Sequence, residues 1–567
     1  TSDAPRRIWG ISRVDLVAAG VLLVVFGLIL LHLRGLVAKP LWNDEQWRAY
    51  WSSLDPSQFL AQLPGIPAPV GLGWLAIERV SIEIFGNSAW ALRLPPILSI
   101  YVLALCTYLL GRYWLPWWMS LLIGAALLCN APDLVYGLQV KEDVFVSTCA
   151  VLAVLLWLGA NREDATTAGR WVRYVIIGLL GVCAIPAVFA IAPLFALDLW
   201  RAWRTRQLRR QLPLIATASA IISANLVFYV RLATAVLHIN YWQGFFAPHQ
   251  VHTGLDFVGR QLQSYVPGVF SAGYLPPDLS FPFDTAVTKA SQSVVLSVLI
   301  SVGMLIALAA GCIKAWRTPV SRTVLAVAGG ILLLELFGSV AGKWPFGLVR
   351  VNLLVIPFLY LLMGTGIWAL VSSLRPASRR ATSPGGAPRH AARPRPTVLD
   401  IPKWAICATL VVCCVAAGIA SWRIQRSLAE QSSVVQYVGG LGTVVHTVRL
   451  DAKPDDVAVV LGDTDGWKYY MDYYDDSTLA GRPRLSAQKT LYASDFRPST
   501  LSHFVASRHP ASVFVVDRIG AAPDDMAWQA QVLGAAGYCA SGAQGFANTA
   551  TLFTFNRATG ACPAAAG

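Results

Sequence analysis

Charge is what this sequence has least of. Asp, Glu, Lys and Arg make up 13% of its 567 residues, against about 25% in ordinary soluble chains. Hydrophobic residues reach 55%, which excludes a wholly soluble protein. Cysteines at metal-ligand spacing are absent as well. Cys106, Cys129, Cys149, Cys183, Cys312 and Cys407 stand isolated in or beside apolar segments, and Cys413 and Cys414 are neighbours in the last one. None forms a C-x-x-C pair or lies at ligand spacing from a histidine, so they read as small core residues. Solenoid-type repeats are missing. No cleavage site follows the first apolar run, so Val14 to Leu33 is expected to remain as an anchor.

What is present is organised by the membrane. The formal charge of +14 would suggest nucleic acid in a soluble protein. Here the clustered arginines sit in loops between apolar runs, as positive-inside topology requires, and no nucleic-acid partner is expected. The 21 tryptophans suit a chain with two membrane–water interfaces. Runs of about 20 apolar residues, enough to cross the hydrocarbon, begin at about 14–34. Arg6, Arg7 and Arg13 precede that run and place the N-terminal end in the cytoplasm. Residues 35–93 then lie outside, with two amphipathic stretches read as interfacial helices. Glu78, Arg79 and Glu83 make the second of these a poor span.

Further spans are expected at about 95–113, 116–131, 143–160, 213–236, 290–312, 322–341, 348–373 and 403–422. The stretch 172–200 is best read as two helices that enter and return, broken near Pro186 or Pro193. A single long helix would put Arg201, Arg204, Arg206, Arg209 and Arg210 on the wrong side. The total is then about eleven crossings. Residues 1–373 form a transmembrane catalytic module, 374–402 a basic Pro/Arg-rich cytoplasmic linker and 403–422 the last span. Residues 423–567 form a small soluble α/β domain on the outer side. Its expected strands are Val457–Leu461, Ser512–Val516 and Thr549–Phe555, with a helix at Met526–Leu533. Cys539 and Cys562 are the two cysteines of that domain and a natural disulfide pair in an oxidising compartment.

This topology gathers the chemistry on one side. Asp44 and Glu45 follow the first span; Tyr136, Lys141, Glu142 and Asp143 lie at the mouth of the fourth. Trp242, His249 and His252 belong to the long outer loop 237–289, and the stretch from Lys343 to Arg350 enters the tenth span. Carboxylates supply a base, and Lys141 with Arg350 suits an anionic group at membrane depth. A lipid phosphate as leaving group fits both. His249, His252 and Asp256 would suit a divalent cation, or line an acceptor groove. Glu335, within a span, is expected in a buried ion pair. Asp463 and Asp465, beside Tyr469, Tyr470, Tyr473 and Tyr474, read as turn chemistry and domain packing.

The acid pair followed by Gly86-Asn-Ser-Ala-Trp-Ala-Leu-Arg-Leu-Pro95 resembles the C-type (GT-C) membrane glycosyltransferases. Within them it is most similar to the branch of protein O-mannosyltransferases and the lipid A aminoarabinose transferase. Tyr136…Lys141…Asp143 and Pro345-Phe346-Gly347…Arg350…Pro357 resemble patterns in bacterial members. The resemblance covers roughly 14–373. It implies a polyprenyl-phosphate-linked sugar donor and a glycan, lipid or protein acceptor in the envelope. It further implies a bacterial plasma-membrane location with an extracytoplasmic site. By it, Asp44 is the base of an inverting transfer, and Glu45 orients the acceptor or helps to bind a cation. Lys141 and Arg350 then hold the donor phosphate, with Tyr136, Glu142, Asp143, Trp242, His249, His252 and Lys343 in the donor or acceptor pocket. Lys-Glu-Asp stands here where bacterial relatives often have Lys-Gln-Tyr and a later acid. Two other classes compete: a lipid or glycan flippase, which would show matched broken helices in both halves, and a non-catalytic assembly scaffold.

Overall fold

The computed structural model describes residues 12–38, 41, 43–62, 71–233, 294–344, 353–373 and, with short breaks, 440–558. Its first part is helical because an apolar run in lipid must satisfy each N–H and C=O internally. The chain opens with α1 (Arg13–His32). Ser12 caps it: its hydroxyl accepts from Asp15 N at 3.2 Å, and Asp15 Oδ2 accepts from Ser12 N at 3.0 Å. α2 (Arg34–Ala38), α3 (Asn43–Ser53), α4 (Pro56–Gln62) and α5 (Leu72–Phe85) lead to α6 (Ala89–Gly111). α7 (Trp117–Leu128), α8 (Ala131–Gly137), α9 (Asp143–Ala160), α10 (Thr167–Cys183), α11 (Val188–Arg204) and α12 (Leu208–Ala233) follow. Helices Val294–Ala315, Pro319–Val340 and Ile356–Ser373 complete the described bundle.

Among the described residues, Arg13–His32, Ala89–Gly111, Asp143–Ala160, Ile185–Arg204, Pro319–Val340 and Leu353–Ser372 are long and apolar enough to cross a membrane. Trp117–Leu128 and Val302–Ala315 are shorter apolar helices. The linker 374–402 and the span 403–422 lie outside the described residues.

The stretch from 172 to 200 does break, at Ala184 and the short turn Ile185–Ala187. α10 and α11 run antiparallel, since Tyr174 near the start of one donates to Asp198 near the end of the other. Gln211 Nε2 of α12 donates to the same Tyr174 hydroxyl at 2.6 Å. The Arg201 guanidinium sits 4.7 Å from the ring of Trp157, at the close of α9. One end of the bundle therefore carries the arginine-rich turns. Asp15, bound by Tyr108 Oη at 2.6 Å and Arg112 Nε at 3.3 Å, marks that end. The acid pair stands at the opposite end, where α6 begins.

Glu335 departs from expectation. It is fully buried, yet neither carboxylate oxygen has a hydrogen-bond partner and no described cation pairs with it. Among the described residues, the expected ion pair does not form.

The C-terminal part is a five-stranded mixed sheet in the order β2-β1-β3-β5-β4. β1 (Val457–Val460) is parallel to β2 (Thr490–Tyr492) and to β3 (Ser512–Arg518). β4 (Tyr538–Phe546) and β5 (Ala550–Arg557) add antiparallel strands. β1 is buried along its whole length, which explains why it reads as an unbroken apolar run. β4, with Gly542 and Gly545 and little apolar alternation, carries no such signal. Helix Pro523–Ala535 packs on the sheet. Cys539, on β4, is disulfide-bonded, and Cys562 lies outside the described residues.

Candidate active site

α3 buries charge where a helix normally buries carbon. Glu45, Arg48, Ala49 and Ser52 are each at most 2% exposed, and their spacing of i, i+3, i+4 and i+7 forms one stripe. Removing ions from water costs several kcal/mol each unless they are matched, and here they are matched. Arg93, at the start of α6, grips Glu45 with both prongs: Nε to Oε1 at 3.0 Å and Nη2 to Oε2 at 2.8 Å. Its Nη1 donates to Val37 O at 2.8 Å. The backbone N–H of Val140 donates to Glu45 Oε1 at 2.8 Å.

One helical turn on, Arg48 holds Glu142 through Nε to Oε2 at 3.1 Å and Nη2 to Oε1 at 3.4 Å. Its guanidinium lies 4.4 Å from the Trp47 ring centroid. Ser52 Oγ donates to Glu78 Oε2 at 2.5 Å. Glu78, on α5, is fully buried, and its Oε1 has no hydrogen-bond partner. Burial pushes its carboxyl up to about 8; Ser52 and Arg48 act against that rise, while Glu142 adds to it. Asp133, on α8, is pushed up to about 7 by burial, opposed by the Asn130 side chain, which donates to it at 2.7 Å.

Lys141 is 1% exposed, in the tight turn between α8 and α9, where its N–H donates to Gln139 O at 2.7 Å. Tyr136 is buried on α8, Glu142 is the N-cap residue of α9, and Asp143 is half-buried in its first turn. Lys343 is exposed and makes none of these bonds; its N–H donates to Gly338 O at 2.8 Å. The structure thus ties Glu45 and Glu142 to the turn holding Lys141, and leaves Lys343 at the surface. Asp44 is in the first turn of α3, but its side chain lies outside the described residues, as do Trp242, His249, His252 and Arg350. Among the described residues, no three His, Cys, Asp or Glu side chains cluster as a metal site.

Sequence reasoning passed over Arg48 and Glu78. Arg48 had a signal, its i+3 spacing from Glu45. Glu78 had one of another kind: it counts as charge against a membrane span, the helix carrying it is not among the spans, and its bond to Ser52 of α3 was not legible.

The C-terminal domain forms a roof over α3. Tyr470 Oη accepts from Leu41 N at 3.0 Å and donates to Leu41 O at 3.1 Å. Tyr469 Oη donates to Asn87 Oδ1 at 3.1 Å, and Tyr50 meets Tyr473 edge-on at 5.8 Å. The tyrosine cluster therefore serves domain packing.

No protein-family model and no curated protein matches the chain. Solved structures do. ArnT from Cupriavidus metallidurans in the apo state is similar with a TM-score of 0.55 at 13% identity, over 95% of this chain and 97% of that one. The same protein bound to undecaprenyl phosphate gives 0.53 at 13% identity, over 97% and 99%. At such identity the likeness is one of fold, and it runs nearly the full length of both chains: this protein has an ArnT-like fold.

Proposed function

We propose that the chain is an inverting membrane glycosyltransferase that moves a sugar from a polyprenyl-phosphate carrier to a glycan, lipid or protein acceptor of the envelope. One observation carries the reading. Glu45, Glu78, Asp133 and Glu142 are buried with Arg48, Arg93 and Lys141 at one end of a bundle whose fold is ArnT-like. Ionisable groups at membrane depth are costly and mark sites of function. ArnT has been solved bound to undecaprenyl phosphate, and a polyprenyl phosphate supplies the anion that Lys141 and Arg350 would meet.

In this reading Asp44 accepts the proton of the acceptor hydroxyl as its oxygen attacks the anomeric carbon. The bond from that carbon to the phosphate oxygen breaks, and Lys141 and Arg350 stabilise the phosphate that departs. Glu45, with both oxygens engaged by Arg93 and Val140, holds the turn beside the base. The positive-inside count puts this end, the C-terminal domain and a Cys539–Cys562 disulfide on the extracytoplasmic face. Asp44→Asn is expected to lower transfer by about a hundred- to ten-thousand-fold, the usual share of a general base. Binding of undecaprenyl phosphate and thermal unfolding should stay near wild type. Full activity of that variant would remove the reading.

A further inference from the structure

Lys141 is held from both sides by one helix. Val140, before it, gives its N–H to Glu45, and Glu142, after it, gives its carboxylate to Arg48. Glu45 and Arg48 are three positions apart on α3 and share a face. α3 also carries Asp44, so a single rigid element sets both the base and the turn that presents the lysine.

Glu142 is the N-cap residue of α9, and its side chain makes no capping hydrogen bond. The carboxylate is turned instead onto the Arg48 fork, and the two side chains are 3% and 12% exposed. A buried two-pronged pair between α3 and the start of α9 holds the turn in place.

A second carboxylate bears on the same guanidinium. Glu78 reaches α3 from α5 through Ser52, and Arg48 and Glu142 are the charged groups that act on it. Trp74, one turn before Glu78 on α5, is in ring contact with Phe145 of α9 at 5.1 Å. The free Oε1 of Glu78 leaves it able to bind Arg48 once it is charged.

We propose that Arg48 is a positioning residue for Lys141, holding the 139–143 turn through Glu142, and that Glu78 competes for Arg48 whenever it loses its proton. Glu78 thereby links donor-phosphate binding to pH. The inference rests on the glycosyltransferase reading for the identity of the ligand. While Glu78 is neutral, Arg48 belongs to Glu142 and the turn is fixed. Burial raises the Glu78 carboxyl to about 8, so its proton is present at neutral pH and leaves on the alkaline side. The competition therefore appears as pH rises past that value.

The test is binding of undecaprenyl phosphate to the full chain in nanodiscs between pH 6 and 9.5, read by native mass spectrometry. Wild type should weaken by about tenfold above pH 8, a 1.4 kcal/mol effect. Glu78→Gln should remove that weakening. Arg48→Gln should bind about tenfold more weakly than wild type at neutral pH, converge with wild type above pH 8 and show no further response to Glu78→Gln, while Arg48→Lys recovers part of the neutral-pH loss. Identical pH profiles for wild type and Glu78→Gln, or unchanged affinity in Arg48→Gln, would overturn the inference. If Asp44→Asn is inactive and these variants bind as wild type, only the positioning role falls. If no form binds the lipid, the donor reading falls with it.

Discussion

Truncating Arg93 would strip three hydrogen bonds at once: two from the Glu45 carboxylate and one from Val37 O. Both side chains of the pair are 0% exposed, so water cannot replace the lost partner. Arg93→Ala is expected to cost about 3–5 kcal/mol, the usual result of leaving one buried charge alone. Arg93→Lys should rescue little of it, since an ammonium cannot span both carboxylate oxygens. Replacing both partners, as Glu45→Leu with Arg93→Met, should cost less than Arg93→Ala alone. Thermal unfolding of the purified chain measures all three, and an Arg93→Ala variant within 1 kcal/mol of wild type would refute the argument. Glu45 was legible as part of an acid pair, and its partner Arg93 lies in the run from Gly86 to Pro95. That these two meet each other depends on α1 and α6 lying antiparallel, which no local pattern encodes.

At the scale of elements, apolar runs and their arginine-rich connections carried most of the bundle. The broken pair at α10 and α11 was legible because a single helix would have put five arginines on the wrong side. Closer packing was not legible. Helices Val294–Ala315 and Ile356–Ser373 cross with their backbones in contact. A Cβ at Gly311 would overlap the Leu362 carbonyl, and one at Gly366 would overlap that of Ala307. Small residues at such crossings let membrane helices approach, and a backbone obstacle cannot rotate away. Gly366→Ala is therefore expected to cost at least about 1–3 kcal/mol as an overpacking change, seen as lower yield and a lower unfolding temperature. Gly20, whose Cβ would meet nothing within 4 Å, is the control: Gly20→Ala should be neutral or slightly stabilising. Equal behaviour of the two would show that the crossing is looser than drawn. Gly86 is a different case, ending α5 at φ 82°, a conformation that only glycine adopts freely.

For the whole molecule, the question is how the roof is joined to the bundle. Leu41 and Tyr470 are 429 positions apart and exchange two hydrogen bonds in a buried joint. Tyr470→Phe leaves the buried Leu41 N–H unpaired, a loss of about 1–3 kcal/mol, while Leu41 O keeps the hydrogen bond that Gln46 Nε2 donates at 2.7 Å. The expected outcome is faster protease cleavage within 440–558, with the bundle helices still protected. Uniform loss of protection, or none, would count against a localised joint.

The sequence by itself determined that this protein lives in a membrane, where its helices run, which end its arginines occupy and that an α/β domain follows. Those are consequences of hydropathy, charge and strand pattern, all of which act over a few residues. It also drew attention to Asp44, Glu45 and Lys141, because acids and cations are rare enough here to stand out. Only the tertiary structure decided which acid answers which cation. Arg93 takes Glu45, Arg48 takes Glu142, and Glu78 is sealed beneath α3 with a proton to lose. The reason is physical: the partners lie 48, 94 and 26 positions apart, and at such separations pairing follows from how helices pack.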